Sequence, residues 1–460
     1  MKRSFTLALF AASSVWCTQA LAAATPEEIK SLSTTLTPVG AERAGNKEGT
    51  IPKWEGGLCT PPANYKPVMG AAGGAPYADP YPNDKPIVRV TNANLAQHAE
   101  RFDEATRELF RRHPTYAVDI YPTRRSACLP KWVYENTEKR INNPKLTAGG
   151  IGITGAHAQI PFPIPKSGYE VMWNGLLRYE LPHSRFTIDA GIANTSGVVT
   201  RSSTQTIDNQ NLYWDTTIQS VPEDKPYWVL TAKTTYPTAQ AGVMQMRHQF
   251  LRADQKSSLA WSYIPGQRRV RLAPEFNYDT VATTSGGILI YDEINGFDGK
   301  MDKFDFKLVG KKEMYIPYNN NNFQNAALEA TMGKHFANPD LFRWELHRVW
   351  VVEATLKPGE RHIQKKKVFY VDEDSWIISI YYSLDQAGKP HHLMQLSSMQ
   401  EYEKPAMRGG NYVLFDLSRG IYGNQSKQSG PRPEDTGNYK VAPRSPNYFT
   451  PDAMAGSGVR

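Results

Sequence analysis

The chain has 460 residues, 40% of them hydrophobic and 21% charged, so it can bury a sizeable core and is not wholly disordered. Aromatics at 11%, beside 34 glycines and 33 prolines, favour strands and irregular loops over a helical bundle. Mean hydropathy is -0.52, and beyond the N-terminus no apolar run approaches the roughly 20 residues that span a bilayer, which excludes a polytopic protein of apolar helices.

Lys2 and Arg3 precede an apolar stretch from Phe5 to Trp16, and Ala20-Leu21-Ala22 supplies a small-x-small cleavage pattern. Residues 1–22 are therefore expected to be a signal peptide cut before Ala23, which directs the chain to the periplasm, possible outer-membrane association included. Trp16 stands where a lipobox before Cys17 needs a small residue, so lipid anchoring there is not expected. Removing the signal takes the formal charge from +8 down by the two units of Lys2 and Arg3. With no long Lys/Arg run, that mild positive charge speaks for solubility and attraction to anionic lipid surfaces rather than nucleic acid. Cys59 and Cys128 remain as a candidate disulfide in an oxidising compartment; the alternative is two unrelated buried thiols.

Residues 23–90 are rich in Pro and Gly and predict an extended arm lying on the main body. The main domain is expected over 91–423, with a helical zone at 91–180 and mainly strands from 185 to 423. Within the helical zone, Thr91 or Asn92 can cap a helix that carries Leu95, Phe102, Ala105, Leu109 and Phe110 before His113-Pro114 stops it. Pro130 is expected in the first turn of a second helix, and Gly168 to Tyr179 forms a third. The clearest strand is Arg343 to Leu356: Trp344, Leu346, Trp350, Val352, Ala354 and Leu356 alternate with more polar residues, and Arg348 interrupts them. This is period two with one face buried, and its length of more than about 40 Å belongs to a curved sheet. Asp372-Glu373-Asp374-Ser375 reads as an acidic turn joining it to Trp376, Ile378, Ile380, Tyr382 and Leu384. Trp261 to Ile264 and Arg268 to Leu272 make another hairpin around Pro265-Gly266-Gln267. A loosely packed tail is expected over 424–460.

Little in the sequence points to catalysis. Gly150-Ile151-Gly152-Ile153-Thr154-Gly155 has the letters of a dinucleotide fingerprint but lacks the strand before and helix after that would place phosphates at a helix N-terminus. His391 and His392 are adjacent, so on a regular strand they point to opposite faces and share no ion. The pairs Asp372/Asp374 and Asp302/Asp305 lie in turn contexts where Asp is common for backbone reasons. No catalytic residue, metal or cofactor is assigned. The remaining chemistry is a cationic cluster of Arg268, Arg269 and Arg271, together with Arg348. That last arginine either pairs with an acid such as Glu345 or Glu353 or sits at a cavity mouth where an anionic headgroup meets it.

Several blocks resemble a known family. Leu36-Thr37-Pro38-Val39-Gly40-Ala41-Glu42, Gly49-Thr50-Ile51-Pro52-Lys53-Trp54 and Tyr121-Pro122-Thr123-Arg124-Arg125 are similar to the exported proteobacterial family catalogued as domain of unknown function 1329. So are Pro265-Gly266-Gln267-Arg268-Arg269-Val270-Arg271, Leu346-His347-Arg348-Val349-Trp350 and Asp372-Glu373-Asp374-Ser375-Trp376, and the resemblance runs from about residue 31 to the C-terminus. That family stands near the periplasmic lipoprotein-sorting carriers and their outer-membrane receptors (LolA/LolB-like). The resemblance implies an α+β fold: an open, strongly curved antiparallel half-barrel with helices packed in its concave face and a hydrophobic pocket between. It also implies movement of a lipid or other apolar small molecule toward the outer membrane, beside a resistance-nodulation-division permease and an outer-membrane barrel protein.

Together these readings place Trp344, Leu346, Trp350, Val352, Trp376, Ile378 and Ile380 on the walls of a ligand cavity, with Arg268, Arg269, Arg271 and Arg348 for an anionic head. The alternative is a filled core, in which case the protein is a structural or adaptor subunit of an envelope complex; an unrecognised secreted enzyme is the third reading.

Overall fold

The computed structural model describes residues 23–63, 78–273, 278–402, 405–428, 443–445 and 447–457. The expected signal peptide and, from the expected tail, residues 429–442, 446 and 458–460 lie outside the described residues. In chain order the elements are α1 (Pro26–Ser31), β1 (Val88–Val90), α2 (Leu95–His98), α3 (Glu104–Arg112), β2 (Val118–Tyr121), α4 (Lys131–Lys139), β3 (Lys145–Leu146), β4 (Ile153–Thr154) and α5 (Gly168–Leu176). There follow β5 (His183–Ala193), β6 (Val199–Asn211), β7 (Trp228–Tyr236), β8 (Met244–Gln249), β9 (Leu259–Ile264), β10 (Arg269–Leu272), β11 (Phe304–Pro317), α6 (Asn321–Asn325) and α7 (Leu328–Thr331). The chain ends through β12 (Arg343–Leu356), β13 (Gln364–Asp372), β14 (Ile378–Asp385), β15 (Pro390–Glu401), β16 (Ala406–Asp416), β17 (Ile421–Lys427) and α8 (Pro451–Ser457).

Local chemistry explains where the helices start. Asp103 accepts from the Thr106 backbone N–H and caps α3, whose Ala105, Thr106, Leu109 and Phe110 are buried. The spacing predicts one helix from residue 91 or 92 to 110, but Phe102 is extended and breaks it, so α3 starts afresh at its own cap. Pro130 sits just outside α4 rather than in its first turn, with an extended ψ of 140°. Ser167 caps α5, which stops at Leu176.

Among the described residues, fifteen strands make one sheet in the order β1-β2-β12-β13-β14-β15-β16-β17-β5-β6-β7-β8-β9-β10, with β11 on the other flank of β12. Every pairing is antiparallel except β2 with β12, where Arg343 to Glu345 run beside Asp119 to Tyr121. β13 takes the rest of that flank, from Val349 to Thr355. Among the described strands β10 and β11 do not pair with each other, so the curved sheet stays unclosed and the fold is the expected α+β type. The glycine stretch at 149–155 forms the small β3–β4 ribbon and its turn, with no helix after it.

Cover lies on both faces of the β12–β15 region. Tyr381 and Tyr382 are adjacent on β14 and therefore point to opposite sides. The Tyr381 hydroxyl donates to Glu293 in a 3-10 segment at 2.9 Å, whereas that of Tyr382 reaches Glu104 of α3 at 3.5 Å. Consequently β12 is buried on both faces over most of its length, where the alternation predicts one. The expected tail also begins late: Asn424, Gln425 and Lys427 belong to β17 and are buried, and Phe449 with Met454 of α8 packs on Val229, Met244, Met246 and Tyr263.

The described part of the arm holds α1 and, at its end, β1 paired with β2; between them it lies along the body, burying Val39, Ala41 and Ile51. Cys59 and Cys128 are bridged, with Cα atoms 5.3 Å apart, and fasten the arm just ahead of α4. Such a bridge fits an exported protein.

Candidate functional site

A cavity of about 280 Å³ lies on the Tyr381 face of the sheet, between β5–β8, β16–β17, the end of α5 and residues 282–298. Alternation builds its wall, since every second side chain of four neighbouring strands faces inward. Phe186, Ile207, Ala232 and Gln245 stand opposite one another across β5 to β8, and so do Ser184, Asn209, Leu230 and Arg247. The facing side is supplied by Leu289, Tyr291, Ile294 and Phe297, with Leu176 of α5 and Met407 of β16. Outward-facing Val229, Met244 and Met246 of the same strands are covered by the α8 cluster.

The charges on the cavity balance. Arg178 pairs with Glu180, Arg247 with Asp298, and Arg408 with Glu401, all of them lining residues. The Arg247 guanidinium also lies 5.9 Å from the Tyr291 ring. Burial, helped by the Asp298 carboxylate, pushes the Tyr227 hydroxyl well above its usual range, so it stays neutral. The lining is thus apolar patches interleaved with amides and neutralised ion pairs.

The residues that the sequence places on the ligand walls sit elsewhere. Trp344, Leu346, Val352, Trp376, Ile378 and Ile380 are buried in the continuous core, and none of them, nor half-buried Trp350, lines the cavity. Trp350 and Trp376 stack with centroids 6.2 Å apart, and Trp344 meets Phe102 and Phe342. Arg348 is buried and paired, but with Glu42 and Glu373 at 3.5 Å and Glu313 at 3.9 Å, while it donates to the Ala44 carbonyl at 3.0 Å. Glu345 is three positions away and so on the opposite face, where it holds Arg343; Glu353 takes Lys366. Arg268, Arg269 and Arg271 are exposed at the β10 edge, outside the cavity lining. What the sequence reading missed are the mixed polar and apolar inner positions of β5–β8. Their only sequence signal is alternation, which stands out most on the densest apolar faces.

Two polar clusters approach metal-site geometry. A bulge between Tyr382 and Leu384 on the β14–β15 ladder brings the His391 and His392 rings to one side, against the expectation of opposite faces. Their centroids are 4.0 Å apart and the planes are within 8°, so their in-plane lone pairs run side by side rather than converging on one ion. His392 instead bridges Glu293 at 2.8 Å and Asp416 at 3.6 Å. Burial opposes the imidazolium, yet Glu293 and Asp416 outweigh it and hold His392 up at about 9. In the second cluster, His347 with Asp372 and Asp374, the Asp374 carboxylate is already held by both Nε and Nη2 of Arg125. Burial, reinforced by Asp374, raises Asp372 to about 7, and its Oδ1 has no hydrogen-bond partner among the described residues. The acidic turn does serve its own backbone, as expected, because Asp372 accepts from the Ser375 N–H at 3.0 Å. It is nevertheless buried, since Arg125, Lys311 and Arg348 close over it.

The described family "Protein of unknown function (DUF1329)" matches residues 89–455. A Pseudomonas aeruginosa relative, uncharacterized protein PA3922, is 35% identical over 456 residues, covering 97% of each chain. Among solved structures, a DUF1329 family protein from Desulfovibrio piger is 15% identical, with a TM-score of 0.43, over 62% of this chain and 97% of its own. The LolA superfamily protein NE2245 from Nitrosomonas europaea is 9% identical, with a TM-score of 0.38, over 63% of this chain and all of its own. On the span of the family match and the identity to the Pseudomonas aeruginosa relative, this chain belongs to the DUF1329 family.

Proposed function

We propose that this protein is a periplasmic binding protein that shelters a lipid or another apolar compound in the β5–β8 cavity on its way toward the outer membrane. The observation that carries this reading is a cavity of about 280 Å³ bounded by Phe186, Ile207, Leu230, Leu289 and Phe297, with the far side of its β7–β8 wall covered by the α8 cluster. That volume is just below the roughly 300–1,000 Å³ typical of small-molecule pockets, which suits one apolar chain or ring system. Each methylene sheltered there contributes about 0.8 kcal/mol. The balanced ion pairs around it favour a buried part without net charge. A permease and an outer-membrane barrel protein are the proposed partners at either end of the path.

The test is saturable binding of an apolar fluorophore, displaced by fatty acid or phospholipid, together with mass spectrometry of lipids that copurify from the periplasm. Absence of saturable binding with every apolar probe, and of any copurifying lipid, would turn the reading to an adaptor in an envelope complex.

A further inference from the structure

The cavity wall does not end at β8. The row Phe186, Ile207, Ala232 and Gln245 continues through Ser262 of β9 to Arg271 of β10, on the same face of the sheet. Exposure rises along it, from buried Ile207 and Ala232 through half-buried Ser262 to exposed Arg271. Arg269 shares that face two residues earlier and stands opposite Ile264, which is 41% exposed. Val270 points the other way, into the cluster of Phe449 and Met454. The inner wall therefore leads out of the cavity onto β10, the last strand of the sheet among the described residues, an edge that carries Arg268, Arg269 and Arg271, with Ile264 beside Arg269 and with Leu272, 55% exposed, on the Val270 face of the same edge.

These three guanidiniums differ from those of the cavity. Arg178, Arg247 and Arg408 are each neutralised by a carboxylate, whereas the side chains of Arg268, Arg269 and Arg271 have no hydrogen-bond or ion-pair partner among the described residues. Uncompensated, solvated arginines beside exposed aliphatic side chains match an anionic headgroup layer with acyl chains just beneath it. We propose that the β10 edge docks this protein on an anionic lipid bilayer, with Arg268, Arg269 and Arg271 on the headgroups and Ile264 and Leu272 at the acyl boundary. The cavity wall then faces the membrane across one strand pair, which gives an apolar ligand a continuous surface to travel along.

Co-sedimentation of the mature protein with phosphatidylcholine vesicles, with and without phosphatidylglycerol, tests this directly. Binding is expected only with phosphatidylglycerol present and weakens as salt screens the charges. The triple change Arg268→Gln, Arg269→Gln and Arg271→Gln should lower it by about fivefold per arginine, on the order of 100-fold together, while the triple Lys variant retains most of it. Melting and fluorophore binding in the cavity should match the wild type in both variants. Charged edge strands also keep sheets from pairing with each other. Should the Gln variant self-associate yet bind anionic vesicles as before, the arginines only guard the edge and docking is overturned. Equal binding to neutral and anionic vesicles overturns it too. Vesicle binding by a wild type that takes up no fluorophore would remove the carrier reading and leave the docking surface in place.

Discussion

The indole Nε1 of Trp376 donates to the backbone carbonyl of Val39 across 3.1 Å, joining the β13–β14 turn to the N-terminal arm. Trp376 is fully buried and takes a positive φ of 62°, a conformation that a bulky residue adopts only where the surroundings enforce it. Beside it, Gly40 has a φ of 93°, and a Cβ there would lie 1.6 Å from the Pro163 carbonyl oxygen. Arm, turn and the Pro163 loop thus pack as one unit, held further by Lys311, which bridges Glu373 at 2.7 Å and Glu42 at 3.2 Å.

Trp376→Phe should therefore cost about 2 kcal/mol, from the lost hydrogen bond and the space left in a close-packed site. The arm should also be cut sooner by trypsin at Arg43, Lys47 or Lys53. Gly40→Ala should do at least as much damage, because backbone rather than a flexible side chain blocks the new methyl. Unchanged melting and digestion in both variants would show that the arm is held by other contacts.

Replacing both cysteines with Ser should lower stability by about 4 kcal/mol, the chain-entropy value for closing a loop over a separation of 69. Chemical denaturation midpoints of the oxidised wild type and the double variant measure this. Thiol labelling of the denatured, unreduced protein should find neither Cys59 nor Cys128 free.

Stability should fall as pH rises from about 6.5 to about 9. His392 is raised from 6.5 to about 9 in the folded protein, so the folded state keeps a proton that the unfolded chain has lost. The contribution is complete below pH 6.5 and gone once pH passes 9. It is on the order of 3 kcal/mol by the linkage relation, shared with Glu293 and Asp416 rather than owned by the ring. His392→Gln should be less stable at pH 6 and show a flatter slope across this window in thermal melts. A slope equal to that of the wild type would assign the titration to other groups.

Ala232 and Trp344 separate cavity from core. Ala232→Phe places a ring in the cavity between Ile207 and Gln245 and should weaken fluorophore binding at least about tenfold, with melting nearly unchanged. Trp344→Ala should cost about 3–5 kcal/mol of stability, and what remains folded should bind the probe normally. The reverse pattern would move the ligand to the β12 face, where the apolar alternation alone would put it.

The sequence by itself determined the elements whose causes are local. Period-two alternation specified β12 and β14, Pro265-Gly266-Gln267 the β9–β10 hairpin, and Asp372 to Ser375 the turn between β13 and β14, while Cys59 and Cys128 stood as a candidate pair that the structure bridges. Tertiary structure alone decided which apolar face is filled and which is hollow. Alternation reports that a side chain is turned from water, not whether a second layer reaches it, and the second layer came from segments far away in sequence. Glu293 and Phe297 cover β13 and β14, Glu104 of α3 meets the other side of β14, and Val39 of the arm receives Trp376. On β5–β8 the facing segment stands off, and the wall it leaves open carries Gln245, Arg247 and Asn209 among its apolar residues. A wall that mixes polar and apolar side chains leaves no apolar stripe in the sequence, so its composition resembles an ordinary surface. The partners of Arg348 and the stacking of His391 on His392 were hidden for the same reason. They depend on the docked arm and on a bulge that shifts register by one residue, and neither leaves a mark in the local order of amino acids.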